Sequence, residues 1–175
     1  MQRRLAGDLS GIGINYRFTE EASEDRRRGL PAGALQSGGR IPDLELWDVR
    51  RPFVWLYELL REPGYALFVF ASARLLGAYR RSLDGLVRAV NGTYGGEVVR
   101  PYVVFDEGTP EVVEAGVPVL IAFKGQSRGK LGARHGSVLL MRPDGYVAFH
   151  RVDYDLWALS AALTSWAGRR SPVRG

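Results

Sequence analysis

The 175-residue sequence contains no cysteine, and this absence excludes several kinds of chemistry. Disulfide bonds and thiolate metal sites need cysteine, and so does dithiol redox catalysis, which depends on a thiolate nucleophile. Histidine is scarce as well, since His135 and His150 are the only two. A metal site needs more ligands than these two residues supply, so we assign no metal-binding residue.

Long apolar runs are also missing. Although 46% of the residues are hydrophobic, no run reaches the ~20 residues that a transmembrane helix needs. The first four residues, Met1-Gln2-Arg3-Arg4, are partly basic, but no apolar segment follows them. We therefore expect no secretory signal, no membrane partner and a cytoplasmic location.

Lysine is rare among the basic residues, because 22 of the 24 are arginines spread along the chain. The net charge is +5 and the isoelectric point is near 9.8. The single dense run, Arg26-Arg27-Arg28, follows four acidic residues, and no nucleic-acid-binding motif accompanies it. We therefore interpret the charge as a solvated arginine-rich surface and expect no nucleic-acid partner.

The strongest local signal is a hairpin near the C-terminal end. Val138 to Met141 form an apolar run that is typical of a strand buried on both faces. Pro143 fixes φ at the first central turn position, Asp144 can bond its own backbone, and Gly145 takes the positive φ that follows. Tyr146 to Phe149 then form a second run with high β propensity.

The same stretch carries a family resemblance. Its string Leu-Met-Arg-Pro-Asp-Gly-Tyr-Val-Ala-Phe at 140–149 resembles the signature near the C-terminus of FAD-dependent aromatic-ring hydroxylases, of the phenol hydroxylase and polyketide hydroxylase type. Two further strings resemble the same family in the same order. Residues 38–43, Gly-Gly-Arg-Ile-Pro-Asp, are similar to the Gly-x-Arg-x-Pro start of the last domain, and residues 9–16 are similar to the segment that closes the flavin-binding part. The signature positions that carry over are Gly39, Arg40, Pro42, Arg142, Pro143, Asp144, Gly145 and Tyr146.

The resemblance implies a division of the chain into three parts. Residues 1–17 combine a short helix with an alternating strand and resemble the end of a flavin domain, as if a larger enzyme had been cut, although Met1 permits a separate gene. Residues 18–39 are polar and are predicted to be a linker or mobile loop. Residues 40–170 form the main domain, for which the family implies a thioredoxin-like fold.

The periodicity of the main domain agrees with that fold class. A core strand at 65–70, a helix at 73–90 and a strand at 98–105 predict a β-α-β unit. The hairpin follows, and then a helix that begins near Asp153 or Asp155 and ends at Gly168. The whole is an α/β protein with a thioredoxin-like core (β-α-β then β-hairpin-α), a short N-terminal appendage and no redox cysteines.

Three local features leave the details open. The apolar residues at 53–61 have helical spacing and predict a short helix or turn, and Pro101 within the second strand predicts an edge or a bulge. Residues 115–125 resemble the cis-proline strand of true thioredoxins, with Pro118 at the proline position. In the favoured interpretation, 117–123 is instead a strand within an insertion, and then 65–70 and 138–142 must be neighbours in the sheet.

No catalytic or cofactor-binding residue can be assigned from the sequence. The Gly-x-Gly-x-x-Gly turn with which the family binds the FAD pyrophosphate does not occur, and neither does its Gly-Asp-Ala segment. The glycine-rich loop at 123–131 lacks the spacing and the hydroxyl of a phosphate loop. Asp106 and Glu107, near a strand end, can act as a general base, but loop carboxylates are usually only solvated.

We therefore expect a non-catalytic module of a FAD-dependent aromatic hydroxylase, separately encoded or truncated, that serves packing or subunit assembly. Its partner would be a flavoprotein hydroxylase module or a second copy of itself, and FAD would belong to the parent family and not to this chain. The alternative is a stand-alone binding protein or small enzyme with an apolar pocket for an aromatic or polyketide molecule. A deep pocket with convergent polar groups would favour the alternative, and a broad exposed apolar patch would favour assembly.

Overall fold

The computed structural model describes residues 30, 32–48, 51–71, 85, 88, 92, 98–105 and 117–152. Within these ranges a seven-stranded mixed sheet is the main feature, with the order β2-β1-β5-β4-β3-β6-β7. The strands are β1 Glu45–Asp48, β2 Arg51–Trp55, β3 Tyr65–Phe70, β4 Val99–Phe105, β5 Val119–Ala122, β6 Val138–Met141 and β7 Val147–Arg151.

The centre of the sheet has the predicted arrangement. β3 pairs with β4 in parallel, from Tyr65 opposite Val99 to Phe70 opposite Val104. On its other side β3 pairs antiparallel with β6, where Phe68 lies opposite Leu139. β6 and β7 then form the predicted hairpin, with a register shift between Leu140 and Met141. The required contact between 65–70 and 138–142 is therefore present.

The predicted strand at 117–123, which is the alternative to the hairpin strand beside β3, lies at another position in the sheet. β5 is parallel to β4, with Val103 opposite Val119, and antiparallel to β1, with Leu46 opposite Ala122. It is thus separated from β3 by β4, which makes it an added strand. The alternative in which this segment replaces the hairpin strand beside β3 is wrong.

The prediction of a short helix or turn at 53–61 holds only from Leu56 onward. Arg51–Trp55 is β2, which forms an antiparallel hairpin with β1, and only Leu56–Leu59 forms a short helix, α1. The spacing of the apolar residues predicted a helix from residue 53, but Phe53 precedes the helix and belongs to β2. Its backbone has φ +56°, a left-handed conformation that is strained for a bulky residue.

Pro101 lies in a central strand, but its local position resembles an edge. β5 pairs with β4 only at Val103 and beyond, so Pro101 has a strand partner on the β3 side alone among the described strands. Proline has no backbone N–H, and because no described strand pairs with Pro101 on the β5 side, no hydrogen bond between strands is lost there.

The predicted helices are described only in part. Gly85 and Arg88, within the predicted 73–90 helix, are helical, and so is Gly92. The final helix predicted from 153 to 168 lies outside the described residues, and so does the appendage at 1–17.

The two faces of the sheet bury alternate side chains, as strand geometry requires. One face holds a cluster that includes Leu67, Val69 and Val103, and the other holds a cluster that includes Phe68 and Val104. Phe68 is 1% exposed, and its ring stacks on Tyr102 with centroids 5.1 Å apart. Each such side chain contributes about 1.5–3 kcal/mol through burial, so these clusters supply much of the folding free energy.

Residues 34–44 cross the face of the sheet that buries Phe68 and Val104, and we call this segment the N-terminal strap. The Leu35 N–H donates to the Leu131 carbonyl at 3.0 Å, and Ile41 and Leu44 are buried in the second cluster. A Cβ on Gly132 would lie 2.5 Å from the Ala34 Cβ, so the strap and the turn at Ser127–Leu131 are in close contact. The first residues of the strap belong to the segment predicted as a linker.

Arg100 joins β4 to the end of α1. Its Nη1 donates to the Leu59 carbonyl at 2.9 Å and to the Tyr102 hydroxyl at 3.1 Å, and its Nη2 donates to the Glu62 carbonyl at 2.9 Å. The Glu62 carboxylate also accepts from Nη1 at 2.9 Å. The buried guanidinium therefore has fixed partners in both elements.

Candidate functional site

The two signature strings of the main domain lie side by side. The N-terminal strap runs antiparallel to the start of β7, and Arg40 forms a bridge with Tyr146. The Gly38 N–H donates to the Val147 carbonyl, and the Val147 N–H donates to the Gly39 carbonyl, both at 2.9 Å. The Ile41 N–H donates to the Gly145 carbonyl at 2.9 Å. The strap thus pairs with the hairpin through one isolated β-bridge and the backbone hydrogen bonds beside it.

The hairpin turn has the geometry that its residues predict. The Arg142 N–H donates to the Tyr146 carbonyl at 2.8 Å, and the Gly145 N–H donates to the Arg142 carbonyl at 3.0 Å. Asp144 accepts from the Tyr146 N–H at 3.3 Å, and its carboxylate pairs with the Arg142 guanidinium. Gly145 has φ +83°, which L-residues rarely adopt.

Tyr57 closes this arrangement from α1. Its hydroxyl donates to the Ile41 carbonyl at 2.8 Å, and its N–H donates to the Asp43 carboxylate at 3.2 Å. The ring lies so close to Gly145 that a Cβ there would be 2.8 Å from Cε1. α1, the strap and the turn are therefore fixed relative to one another at this point.

Two arginines flank the Tyr146 ring. The Cζ atoms of Arg40 and Arg142 are each 5.9 Å from its centroid, and Arg40 Cζ is also 5.9 Å from the Tyr57 centroid. Hydrogen bonding to the Tyr57 side chain is the main cause that raises the pKa of Arg40, and Tyr146 acts in the same direction. We call Arg40, Tyr57, Arg142, Asp144 and Tyr146 the signature cluster.

The remaining predicted signature residues shape the backbone around this cluster. Gly39 is buried in the strap, Pro42 is half-buried after Ile41, and Pro143 is exposed in the turn. Sequence reasoning missed Tyr57, because its place in the apolar pattern at 53–61 indicated only a core contact. No feature of the sequence signals that its hydroxyl bonds the strap.

The two histidines lie in different environments. His135 is exposed, whereas His150 is fully buried on β7. His150 Nδ1 lies 2.7 Å from the Leu35 carbonyl and must carry the proton to bond it, and Nε2 has no hydrogen-bond partner among the described residues. Burial lowers the pKa of His150, although the bond to Leu35 acts in the opposite direction. A buried imidazole with one bonded nitrogen is a structural group that joins the strap to β7.

The remaining candidates are the Asp106–Glu107 pair and a metal site. Asp106 and Glu107 lie outside the described residues. Across the residues that the structure describes, no group of three or more His, Asp or Glu side chains can hold a metal ion. A search of the same residues found no helix long and apolar enough to cross a membrane.

The glycine-rich loop at 123–131 lies against the N-terminal strap. It forms a 3-10 turn at Phe123–Gly125 and a π-helical turn at Ser127–Leu131. The glycine that follows it, Gly132, is occupied by contact with Ala34, so its backbone offers no close approach to a pyrophosphate. Lys130 Nζ donates to the Asp43 carbonyl at 3.3 Å. The loop therefore serves the packing of the strap.

Comparison with known families gives a clear result. The family model described as "Aromatic-ring hydroxylase, C-terminal" matches residues 35–170, which is most of the chain. The chain belongs to this family. The match confirms the resemblance drawn from the signature strings and begins at the strap. A search among curated proteins found no match.

Solved structures confirm the thioredoxin-like fold. The copper-bound Sco1 from yeast is similar with a TM-score of 0.57 and 12% identity, over 80% of this chain and 92% of that chain. A thiol:disulfide interchange protein DsbE from Chlorobium tepidum is similar with a TM-score of 0.54 and 19% identity, over 77% and 100%. At these identities the likeness shows the fold alone, and this chain lacks cysteine.

One similar structure is a much longer enzyme. The flavin-dependent monooxygenase PieE, solved with FAD and substrate, has a TM-score of 0.50 and 16% identity. The alignment covers 76% of this chain but only 20% of that chain. This chain therefore corresponds in fold to about one fifth of that monooxygenase.

Proposed function

We infer that this chain is a non-catalytic C-terminal module of a FAD-dependent aromatic hydroxylase, which packs on a flavoprotein module and supports assembly of the enzyme. The observation that carries this proposal is the family match over 35–170, together with the meeting of both signature strings in one cluster. The cluster consists of turn, strap and aromatic contacts, and it contains no nucleophile aligned with a base. Such contacts are suited to fixing the conformation of the surface that the strap and the hairpin turn form.

The proposal places FAD on the partner and the assembly in the cytoplasm. The family's flavin-binding turn is missing from the sequence, and this supports assigning the cofactor to the partner module. The chain would therefore contribute contacts and no redox chemistry.

Self-association is a second candidate, because one end of the sheet exposes aromatic rings. Phe53 is 63% exposed and Trp55 is 48% exposed on β2, which ends the sheet on that side. Phe53 stacks on Phe123 with centroids 6.2 Å apart, so the rings form a continuous apolar surface. Exposed apolar patches of this kind mark protein contacts. Sedimentation of Phe53→Ser with Trp55→Ser against wild type tests this candidate.

The test of the main proposal is affinity purification of the tagged full chain from its native host, followed by mass spectrometry. We expect a flavoprotein hydroxylase without its own C-terminal domain of this family among the retained proteins. Recovery of the chain alone, or only with itself, would contradict the hydroxylase association. Recovery only with itself would favour self-association, and recovery of the chain alone would favour the stand-alone binding protein or small enzyme with an apolar pocket.

A further inference from the structure

We propose that Arg40 is the anchor of a docking surface that binds an acidic side chain of the flavoprotein hydroxylase module. This inference rests on the proposed function and adds to it the contact residue and the chemistry of the partner's surface. It starts from a difference between the two arginines of the signature cluster.

The two arginines share the Tyr146 ring but differ in charge balance. Arg142 pairs with the Asp144 carboxylate. Arg40 is exposed, and its contacts in the described part of the chain are with tyrosine side chains and not with a carboxylate. Among the described residues no carboxylate matches the positive charge of Arg40, so that charge can take a partner's carboxylate, while the charge of Arg142 is already matched.

The guanidinium of Arg40 is held in place before any partner arrives. The ring centroids of Tyr57 and Tyr146 lie at the same distance, 5.9 Å, from its Cζ. Tyr57 is fixed by its bond to the Ile41 carbonyl, and Tyr146 belongs to the bridge with Arg40 itself. A side chain that is already ordered loses less entropy on binding, and arginine and tyrosine are enriched among residues that dominate interface energies.

The charge and the position of Arg40 indicate which group of the partner binds it. A planar guanidinium on aromatic rings matches a carboxylate in charge and in the geometry of two parallel hydrogen bonds. The family match begins at residue 35, and the family is described as a C-terminal domain, so Arg40 lies within the first residues of the matched segment. We therefore assign the carboxylate to an Asp or Glu of the flavoprotein module.

The first experiment compares retention of the flavoprotein hydroxylase by the immobilised full chain and its variants in host lysate. We expect Arg40→Gln to retain about tenfold less than wild type, since it removes an ordered charge at the contact. Raising NaCl from about 0.05 to about 0.5 M should weaken wild-type retention and leave Arg40→Gln almost unaffected. The matched control is Arg61→Gln, which removes an exposed arginine at the end of α1 and should behave as wild type.

The second experiment identifies the partner group directly. Arg40→Lys places a primary amine at the same position, and a carbodiimide then joins that amine to an adjacent carboxylate by an amide bond, with release of the urea. We expect a cross-linked peptide that contains position 40 and an Asp or Glu of the flavoprotein.

The outcomes separate the two proposals. If Arg40→Gln retains the flavoprotein as well as wild type does, or if the cross-link joins position 40 only to carboxylates of this chain, the docking role of Arg40 is overturned and the proposed function stands. If wild type retains no flavoprotein hydroxylase, both are overturned.

Discussion

At the scale of single residues, Gly145 shows how a turn and a side chain depend on each other. Its φ of +83° already disfavours any L-residue, and the Tyr57 ring fills the space where a Cβ would lie. We expect Gly145→Ala to lower the free energy of unfolding by about 2–3 kcal/mol, from backbone strain of about 1–2 kcal/mol plus displacement of the ring. Urea unfolding followed by tryptophan fluorescence measures this change.

Gly33 provides the matched control for this prediction. It has the same φ of +83°, but a Cβ there would meet nothing within 4 Å. Gly33→Ala should therefore cost only the backbone share, about 1–2 kcal/mol. Equal losses at the two positions would mean that the Tyr57 contact contributes nothing.

His150 makes the stability of the domain depend on pH. Its folded-state pKa is lowered by burial, so between that value and the ordinary value of about 6.5 the unfolded chain binds more protons. The free energy of unfolding should thus be insensitive to this group above about pH 7 and fall as the pH drops below about 6.5, by at most about 1.4 kcal/mol per pH unit. Denaturant unfolding between pH 5 and pH 8 gives the profile, with those limits chosen about the titration range of histidine.

The variant His150→Asn isolates this contribution, because the amide can still donate to the Leu35 carbonyl but does not titrate. Its profile should be flatter than that of wild type, even if its stability at pH 8 is lower. His135→Asn removes the exposed histidine and is the matched control for the loss of one imidazole. A wild-type slope that persists in His150→Asn would show that other groups produce it.

At the scale of elements, Arg100 is the link between β4 and α1. Arg100→Met would leave the Leu59 and Glu62 carbonyls without their buried donor, and we expect a loss of about 2–4 kcal/mol in thermal or urea unfolding. Glu62→Gln tests the ion pair alone. Its carboxylate is on a side chain that is 67% exposed, so the loss should stay below about 1 kcal/mol. Similar losses in both variants would contradict the assignment of the stability to the carbonyl bonds.

Elements with a local signal could be predicted from the sequence, and those decided by distant pairing could not. β3, β6 and the Pro143-Asp144-Gly145 turn follow from an apolar run, a β-prone run and turn chemistry, each contained within a few residues. β2 could not be separated from α1, because Phe53 has a spacing that suits either element. The position of β5 between β1 and β4 depends on non-local bonds that no local pattern encodes.

The same limit applies to the signature cluster. The strings around Arg40 and Arg142 were identified, but their contact depends on a strap that crosses one whole face of the sheet. Tyr57 joins them through its hydroxyl and its ring, and in sequence it is one more apolar residue of a short pattern. Residue types could therefore be predicted for the cluster, while its geometry could not.

At the scale of the whole molecule, stability should depend on the centre of the sheet and not on its aromatic end. Phe68 and Phe53 each stack on another ring, but Phe68 is buried between β4 and β6 and Phe53 is 63% exposed. We expect Phe68→Ala to cost about 3–5 kcal/mol, which is a large part of the stability of a small domain. Phe53→Ala should cost less than about 1.5 kcal/mol. Thermal unfolding of both variants by circular dichroism tests this, and a comparable fall in midpoint would contradict it.

The pairing of the strap with the hairpin also has a mechanical consequence. Tension applied to the chain ahead of residue 34 would first load the contact of Ala34 with Gly132 and the bonds of Leu35 to Leu131 and His150. The bonds from Gly38, Val147 and Ile41 would follow, before the tension reached any central strand. A body joined to the chain at that side would therefore pull on a segment whose backbone is hydrogen-bonded to the hairpin. The orientation of that body would therefore be set by the orientation of the hairpin.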